Sequence, residues 1–155
     1  KSLSSVNLEE IQKARDLLTQ MLPNSPLIHS PGLSALYHCE IFLKLETLQP
    51  IGSFKIRGAT YKIANLPKAV LRKGVVASSA GNHAQGVAWG AREMGGKALI
   101  FMPKNAALVK VQSTRALGAE IVLEGENFDE AWVAANRFAK KHRRTFVHAY
   151  EDPYI

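Results

Sequence analysis

Residues 74–86, GVVASSAGNHAQG, decide the fold, because their character changes twice along the stretch. The run Gly74–Ser78 is apolar and contains two adjacent valines, which is typical of a buried strand. Small and polar residues follow it, and then Val87, Ala88 and Ala91 recur at helical spacing. The stretch therefore predicts a strand, a short loop and a helix in direct succession, which is the first part of a βα unit.

The same pattern recurs at intervals of roughly 23–24 residues, the length of a compact βα unit. Three further runs predict strands: Ala98–Met102, Glu120–Leu123 and Thr145–His148. The last intervening helix has an apolar stripe formed by Ala131, Ala134, Ala135, Phe138 and Ala139. Gly95-Gly96 and Gly118 stand where helices should end. This alternation predicts an α/β fold with a parallel sheet that has helices on both faces, a three-layer αβα arrangement.

The first fifty residues are less regular than the rest of the chain. Asn7–Glu10 has the pattern of a capping box, and Ile11, Ala14 and Leu18 follow at helical spacing, so we expect a helix there. Ile41–Leu45 predicts a strand that leads towards residue 53.

The composition excludes several classes of protein. With 155 residues, 46% hydrophobic and 21% charged, the chain resembles one soluble globular domain. No apolar run approaches the roughly 20 residues of a membrane span, and the N-terminus lacks the apolar core of a signal peptide. A single cysteine, Cys39, excludes an internal disulfide and is typical of a cytoplasmic protein. The net charge of +7 comes mostly from scattered residues, and its one dense run, 140–144, ends a helix without interleaved aromatic residues, so nucleic-acid binding is not favoured.

The loop between Ser78 and Gly86 is the first candidate site. A buried strand leads into it and a helix leaves it, so free N–H groups at the helix start can hold an anion. Asn82 and His83 add polar side chains at the same place. An ordinary helix cap with an incidental histidine is the simpler alternative, but Gly81 before two polar residues favours a cradle for an anion or a carboxylate.

Lys55, within residues 49–59 (QPIGSFKIRGA), is the second candidate. Most lysines are solvated surface residues. Lys55, however, follows Phe54 at a predicted helix start with Ser53 as the expected N-cap, where the helix dipole opposes a positive charge by roughly 0.3–1 kcal/mol. Burial in a cleft would have a larger effect, since desolvation can lower a lysine pKa by about 3–5 units. The amine would then be neutral, nucleophilic and suited to Schiff-base chemistry.

The two motifs together resemble a known family. GSFKIRGA and SAGNHAQG, in this order and separated by a βα unit, are similar to motifs of pyridoxal-phosphate enzymes with the tryptophan-synthase β-subunit fold. The likeness is closest to the threonine and serine dehydratases, or ammonia-lyases. It extends over nearly the whole chain and includes residues 42–46, 102–103 and 118–120.

The resemblance implies a role for each matching residue. Lys55 looks like the lysine that forms a Schiff base with pyridoxal phosphate, Phe54 would lie against the pyridoxal ring, and Asn82 would hydrogen-bond the phenolic oxygen of the ring. The loop between Ser78 and Gly86 would bind the substrate carboxylate, through Ser79 and the backbone around Ala80 and Gly81, with help from Asn82 and His83. The implied reaction is β-elimination from L-threonine or L-serine to a 2-oxo acid and ammonia, with Lys55 also acting as general base. Family members are generally homo-oligomers.

Departures from the family pattern limit these expectations. Ile56 stands where cysteine and threonine synthases usually have an aspartate, and Ala80 where serine racemases have a second acid–base serine, so dehydration is favoured over racemisation. The chain has no glycine-rich phosphate loop. We therefore expect residues 53–155 to form the small α/β lobe of a longer enzyme, and residues 1–52 to belong with a second, absent lobe. The alternative is an isolated, inactive α/β module; a nucleotide-binding domain is less favoured because no strand precedes a G-x-G-x-x-G or P-loop pattern.

Overall fold

The computed structural model describes residues 7–152 and 154–155. The helices are α1 Leu8–Leu18, α2 Pro31–Tyr37, α3 Lys55–Ala64, α4 Lys68–Lys73, α5 Asn82–Glu93, α6 Leu108–Ala116 and α7 Phe128–His142. The strands are β1 Leu27–His29, β2 Phe42–Lys44, β3 Val75–Ser78, β4 Ala98–Met102, β5 Glu120–Leu123 and β6 Thr145–Phe146, and a 3₁₀ turn covers Glu46–Leu48.

The four strands predicted after residue 73 form one parallel sheet. Their order is β5-β4-β3-β6, with Ala77 opposite Ile100 and Val76 opposite Phe146. The chain adds β4 and β5 on one side of β3 and then returns to place β6 on the other side. The direction of strand addition therefore reverses after β5, and the switch point of the sheet lies between the neighbouring strands β3 and β6. In open α/β sheets, ligands bind beyond the carboxyl ends of the strands at such a point.

Alternate residues of the central strands pack against helices on opposite faces of the sheet. Val75 and Ala77 belong to the core that α3 and α5 cover, whereas Val76 packs against the buried alanine stripe of α7. Both faces of a parallel sheet must be covered when its strands are continuously apolar, because neither face can be left to water. The predicted three-layer αβα arrangement is confirmed.

The helices α3 and α5 cross at very short range because two glycines of α5 face α3. A Cβ atom added at Gly86 would lie 3.1 Å from the Lys55 carbonyl oxygen, and one added at Gly90 would lie 3.2 Å from the Thr60 Cα. Gly86 and Gly90 are four residues apart and so lie on one face of the helix. This contact fixes the start of α3, with Lys55, beside the start of α5.

Three of the helix ends follow the sequence prediction and one does not. Asn7 caps α1 by accepting the Glu10 N–H at 3.0 Å, and Gly95 and Gly118 follow α5 and α6 with φ of +70° and +93°. Ser53, expected to cap α3, is not its cap residue: Phe54 takes that position in a helical conformation. The Ser53 hydroxyl oxygen instead accepts the Lys55 N–H at 3.3 Å, two residues along the chain, as serine often does in a turn.

The first part of the chain forms a separate small sheet that the periodicity predicted only in part. The strand expected at Ile41–Leu45 is β2, and it pairs antiparallel with β1, for which the sequence pattern gives no indication. All residues of both strands are exposed. An ion pair ties this part to α3: two guanidinium nitrogens of Arg57 each lie 2.8 Å from a carboxylate oxygen of Glu46. Among the described residues, no helix is long and apolar enough to cross a membrane.

Candidate functional site

The loop after β3 and the segment after β6 diverge at the switch point of the sheet, and both predicted motifs meet there. The loop contains Ser79–Gly81 and continues directly into α5. The segment from Val147 to Ala149 continues from β6, with the Val147 N–H bound to the Val76 carbonyl at 2.8 Å. Lys55, at the first position of α3, contacts this segment from the side of α3.

The amine of Lys55 is directed at the segment after β6. Its Nζ donates a hydrogen bond to the Ala149 carbonyl at 3.0 Å and lies 4.6 Å from the centre of the Tyr150 ring. The Phe54 ring centre is 5.8 Å from the same atom. Lys55 is half-buried, so the cleft expected from the sequence covers the side chain only in part. The amine is nevertheless ordered by a carbonyl and bordered by two aromatic rings.

The loop after β3 presents backbone donors at the start of α5. The Ser79 hydroxyl accepts the Gly81 N–H at 3.1 Å, which fixes the loop, and the first turn of α5 closes with the Gln85 N–H on the Gly81 carbonyl. The N–H groups of the residues just before Gln85 precede this first intrahelical bond and so belong to the free start of the helix. A Cβ atom added at Gly81 would have nothing within 4 Å, so the space beside the loop is open. This geometry suits an anion.

His83 lies behind the loop rather than in its mouth. It is 5% exposed, and its Nε2 is 3.0 Å from the Val147 carbonyl oxygen. Since a carbonyl only accepts, Nε2 carries the proton and the ring holds the residue after β6 against α5. Burial lowers the pKa of His83 below 6.5, the Val147 hydrogen bond opposes this effect, and the positive charge of Lys55 adds to the lowering. His83 is therefore a neutral group that joins the loop to the segment bound by Lys55.

Two residues with no sequence signal complete the surroundings of the amine. The Ala149 carbonyl is a backbone group, and any residue type supplies one, so no residue type could have revealed it. The second residue, Tyr150, is 71% exposed, and its ring contacts the Lys55 amine. Phe54, predicted beside the cofactor ring, is 60% exposed, and Asn82 is exposed at the first position of α5, so both can be reached from the open side.

The arrangement fits pyridoxal phosphate, the cofactor implied by the resemblance. The group needs a primary amine for covalent attachment, an aromatic or apolar face for its ring, and polar donors. Lys55 supplies the amine and Phe54 the exposed ring face, and α5 begins with free N–H groups. Two buried polar atoms of this region, Ser78 Oγ and His83 Nδ1, have no hydrogen-bond partner among the described residues. The region therefore contains hydrogen-bonding atoms that the described part of the chain does not satisfy.

A cavity of about 650 Å³ lies elsewhere, between α1 and α3. Its lining includes Ile11, Leu18 and Tyr61, but neither Lys55 nor the loop after β3. The cavity therefore does not include the lysine and the loop that carry the chemical groups of the candidate site.

Comparison with known proteins agrees with the position of these motifs. Residues 18–155 match a family described as pyridoxal-phosphate dependent enzyme. L-threonine ammonia-lyase of Thermotoga maritima is 48% identical over 150 residues, which are 97% of this chain and 37% of that protein. The processed form of threonine deaminase isoform 2 from Solanum lycopersicum superposes with a TM-score of 0.87 at 35% identity, over 99% of this chain and 44% of that one. Maize serine racemase superposes with a TM-score of 0.88 at 27% identity, over 97% and 46%. The chain thus spans less than half the length of each of these proteins.

Proposed function

The chain belongs to the pyridoxal-phosphate-dependent enzymes, and we propose that it is the part of an L-threonine or L-serine ammonia-lyase that carries the catalytic lysine, Lys55. The observation that supports this most directly is the position of the Lys55 amine. It is held 3.0 Å from the Ala149 carbonyl at the switch point of the sheet, beside a helix start that can bind an anion.

The residues around this amine would hold the cofactor and the substrate. Lys55 would attach the cofactor covalently, Phe54 would lie against its ring, and Asn82 would bind its phenolic oxygen. Pyridoxal phosphate, when bound, supplies an electron sink that stabilises negative charge at the α-carbon of an amino acid. We place the phosphate group on a loop outside these 155 residues, because the sequence contains no glycine-rich loop that could cradle it.

The substrate carboxylate would be bound by the loop after β3. Ser79, Ala80 and Gly81 lie just before α5, where the free N–H groups of the first helical residues and the helix dipole favour a negative charge. Asn82 would donate from the first position of the helix. His83 would act from behind, by keeping the loop in place through its hydrogen bond to the Val147 carbonyl.

Lys55 would also move the protons of the reaction. With the substrate held beside it, the Nζ of Lys55 would take the α-proton as general base. The Ala149 carbonyl, which accepts a hydrogen bond from the Lys55 Nζ, would also hold the protonated amine in the site. Loss of the β-hydroxyl as water, followed by hydrolysis of the released product, would give a 2-oxo acid and ammonia.

We further propose that the chain has two parts that belong to different lobes of the enzyme. Residues 53–155 would be the small lobe, since the sheet and its covering helices lie there. Residues 1–52 would belong with a second lobe, which is supported by the exposed apolar side chains of β1, β2 and α2: Leu27, Ile28, Leu36, Tyr37 and Phe42. The exposed thiol of Cys39 is consistent with the reducing cytoplasm, where we place the full-length enzyme as a homo-oligomer.

The experiment is a chimera in which this chain replaces the matching 37% of the Thermotoga maritima enzyme. Ammonia release from L-threonine and from L-serine is measured, together with D-serine formation. The proposal predicts ammonia release that Lys55→Ala abolishes. Formation of D-serine without ammonia would favour the racemase alternative, and a folded chimera with unchanged activity after Lys55→Ala would refute the proposed role of the lysine.

A further inference from the structure

The residues after β6 lie along α3 and cover one side of it. We name residues 149–152 with 154–155 the covering segment. Its first residue, Ala149, contacts Lys55 at the start of α3, and Asp152 contacts Lys62 near the end of α3. The segment therefore follows α3 over two helical turns and returns at Ile155, whose N–H binds the Asp152 carbonyl at 3.0 Å.

The ion pair between Lys62 and Asp152 is the least exposed of those in the described part of the chain. The Lys62 Nζ and an Asp152 carboxylate oxygen are 2.9 Å apart, and the two side chains are 17% and 9% exposed. The other oxygen of Asp152 accepts the Tyr154 N–H at 3.0 Å. The Lys62 Nζ also lies 5.0 Å from the centre of the Tyr154 ring. One carboxylate thus shapes the turn of the covering segment and fastens it to α3.

The face of α3 that carries this contact is the face that carries the catalytic amine. Lys55, Gly58 and Lys62 have i, i+3, i+7 spacing, so the three residues lie on the same side of the helix. A Cβ atom added at Gly58 would lie 2.9 Å from the Ile155 Cα, so only glycine lets the segment pass this closely. The two lysines therefore hold the two ends of one stretch of backbone: Lys62 through an ion pair and Lys55 through a carbonyl.

We propose that the Lys62–Asp152 ion pair is a positioning device for the reactive amine: it fixes the covering segment on α3 so that the Ala149 carbonyl and the Tyr150 ring meet the Nζ of Lys55. This inference rests on the proposed function only for its purpose, because the geometry itself does not involve the cofactor. When Lys55 carries a proton taken from the substrate, the fixed carbonyl keeps the amine from swinging into solvent. Lys62 and Asp152 pair with each other rather than with Lys55, so they would act through the position of Ala149.

The test measures the reactivity of one amine in the 155-residue chain. Reductive methylation with formaldehyde and cyanoborohydride, followed by peptide mass spectrometry, gives a rate for each lysine without any pyridoxal phosphate. The variants are Asp152→Asn and Lys62→Met, which remove the charge pair, and Lys62→Arg, which keeps the positive charge. Lys104→Met is the matched control, because Lys104 forms an ion pair with Glu126 at 2.7 Å on the exposed surface, away from α3.

We expect Asp152→Asn and Lys62→Met to raise the methylation rate of Lys55 at least threefold, with faster amide exchange of residues 149–152. Lys62→Arg should restore the original rate, and Lys104→Met should leave it unchanged. An unchanged rate in both pair variants overturns the proposal. A raised rate accompanied by lost amide protection in β4 also overturns it, because the pair would then stabilise the whole fold rather than position the amine. Ammonia release by the chimera that Lys55→Ala leaves unchanged would refute the proposed function while leaving these rates as predicted.

Discussion

The crossing of α3 and α5 gives the sharpest test of how the fold positions Lys55. The perturbation is Gly86→Ala, which adds one methyl group at the point of closest approach. Its Cβ would lie 3.1 Å from the Lys55 carbonyl oxygen, 3.2 Å from the Ala59 Cβ and 3.4 Å from the Ile56 Cα. Two of these three neighbours are backbone atoms of α3, so the helix as a whole must move by a few tenths of an ångström to accept the methyl group.

The magnitude follows from two opposing contributions. Overpacking of a tight contact costs about 1–3 kcal/mol, whereas replacing a helical glycine by alanine stabilises by about 1 kcal/mol. The net expectation for Gly86→Ala is a loss of about 1 kcal/mol in the free energy of unfolding. Gly32→Ala is the matched control, because Gly32 lies in α2 and an added Cβ there has nothing within 4 Å. It should stabilise its helix by up to about 1 kcal/mol.

The assay is urea unfolding followed by circular dichroism, with the free energy taken from the midpoint and slope of the transition. Gly90→Ala should behave like Gly86→Ala, because its Cβ would lie 3.2 Å from the Thr60 Cα. If Gly86→Ala stabilises the chain as much as a glycine-to-alanine change at an uncrowded helical site, the two helices are not in close contact. The account of how Lys55 is held beside the loop would then be wrong.

Further predictions concern the charges around the site. Arg57→Met should cost about 2–3 kcal/mol in urea unfolding, because the 19% exposed Glu46 carboxylate loses its charged partner and keeps the hydrogen bond from the Ser25 hydroxyl, while Lys104→Met on the exposed surface should have a much smaller effect. Arg57 lowers the pKa of Glu46 below 4.5, so the stabilisation by this pair should persist above pH 4.5 and disappear as the pH falls further, which an acid titration of wild type and Arg57→Met would reveal. Burial lowers the pKa of His83 below 6.5, so the unfolded chain takes up this proton first; stability should decline as the pH falls through 6.5, and His83→Gln should flatten that slope. Equal slopes in both proteins would contradict the buried, neutral histidine.

Much of the sheet could be predicted from the sequence because its signals are local. The apolar runs predict all four parallel strands, and the alanine stripe predicts α7, which covers the face of the sheet opposite to α3 and α5. The end of the last run was too long by two residues: β6 is Thr145–Phe146, and the chain leaves the sheet once Val147 has bound the Val76 carbonyl. The pattern of periodicity thus identifies an element more reliably than its boundary.

Other features could not be predicted because they depend on contacts between distant residues. The strand β1 is short and exposed, and only its pairing with β2 defines it. Nothing in the sequence near Lys62 indicates that its partner is Asp152, ninety residues away. Serine is a common helix cap, so Ser53 was expected to cap α3. The chain makes a tight turn at Gly52, with φ of +67°, and the Ser53 hydroxyl accepts the Lys55 N–H instead.

The measurement that tests the central claim most directly is the site of covalent labelling by pyridoxal phosphate. The chimera that carries this chain within the Thermotoga maritima enzyme is incubated with the cofactor, reduced with borohydride and digested, and the label on each lysine is divided by the formaldehyde methylation rate of that lysine. The account predicts that this ratio is highest at Lys55 and falls to the level of Lys104 when Asn82 and Phe54 are replaced by alanine. A ratio at Lys55 no greater than at exposed lysines such as Lys104 and Lys140 would contradict it.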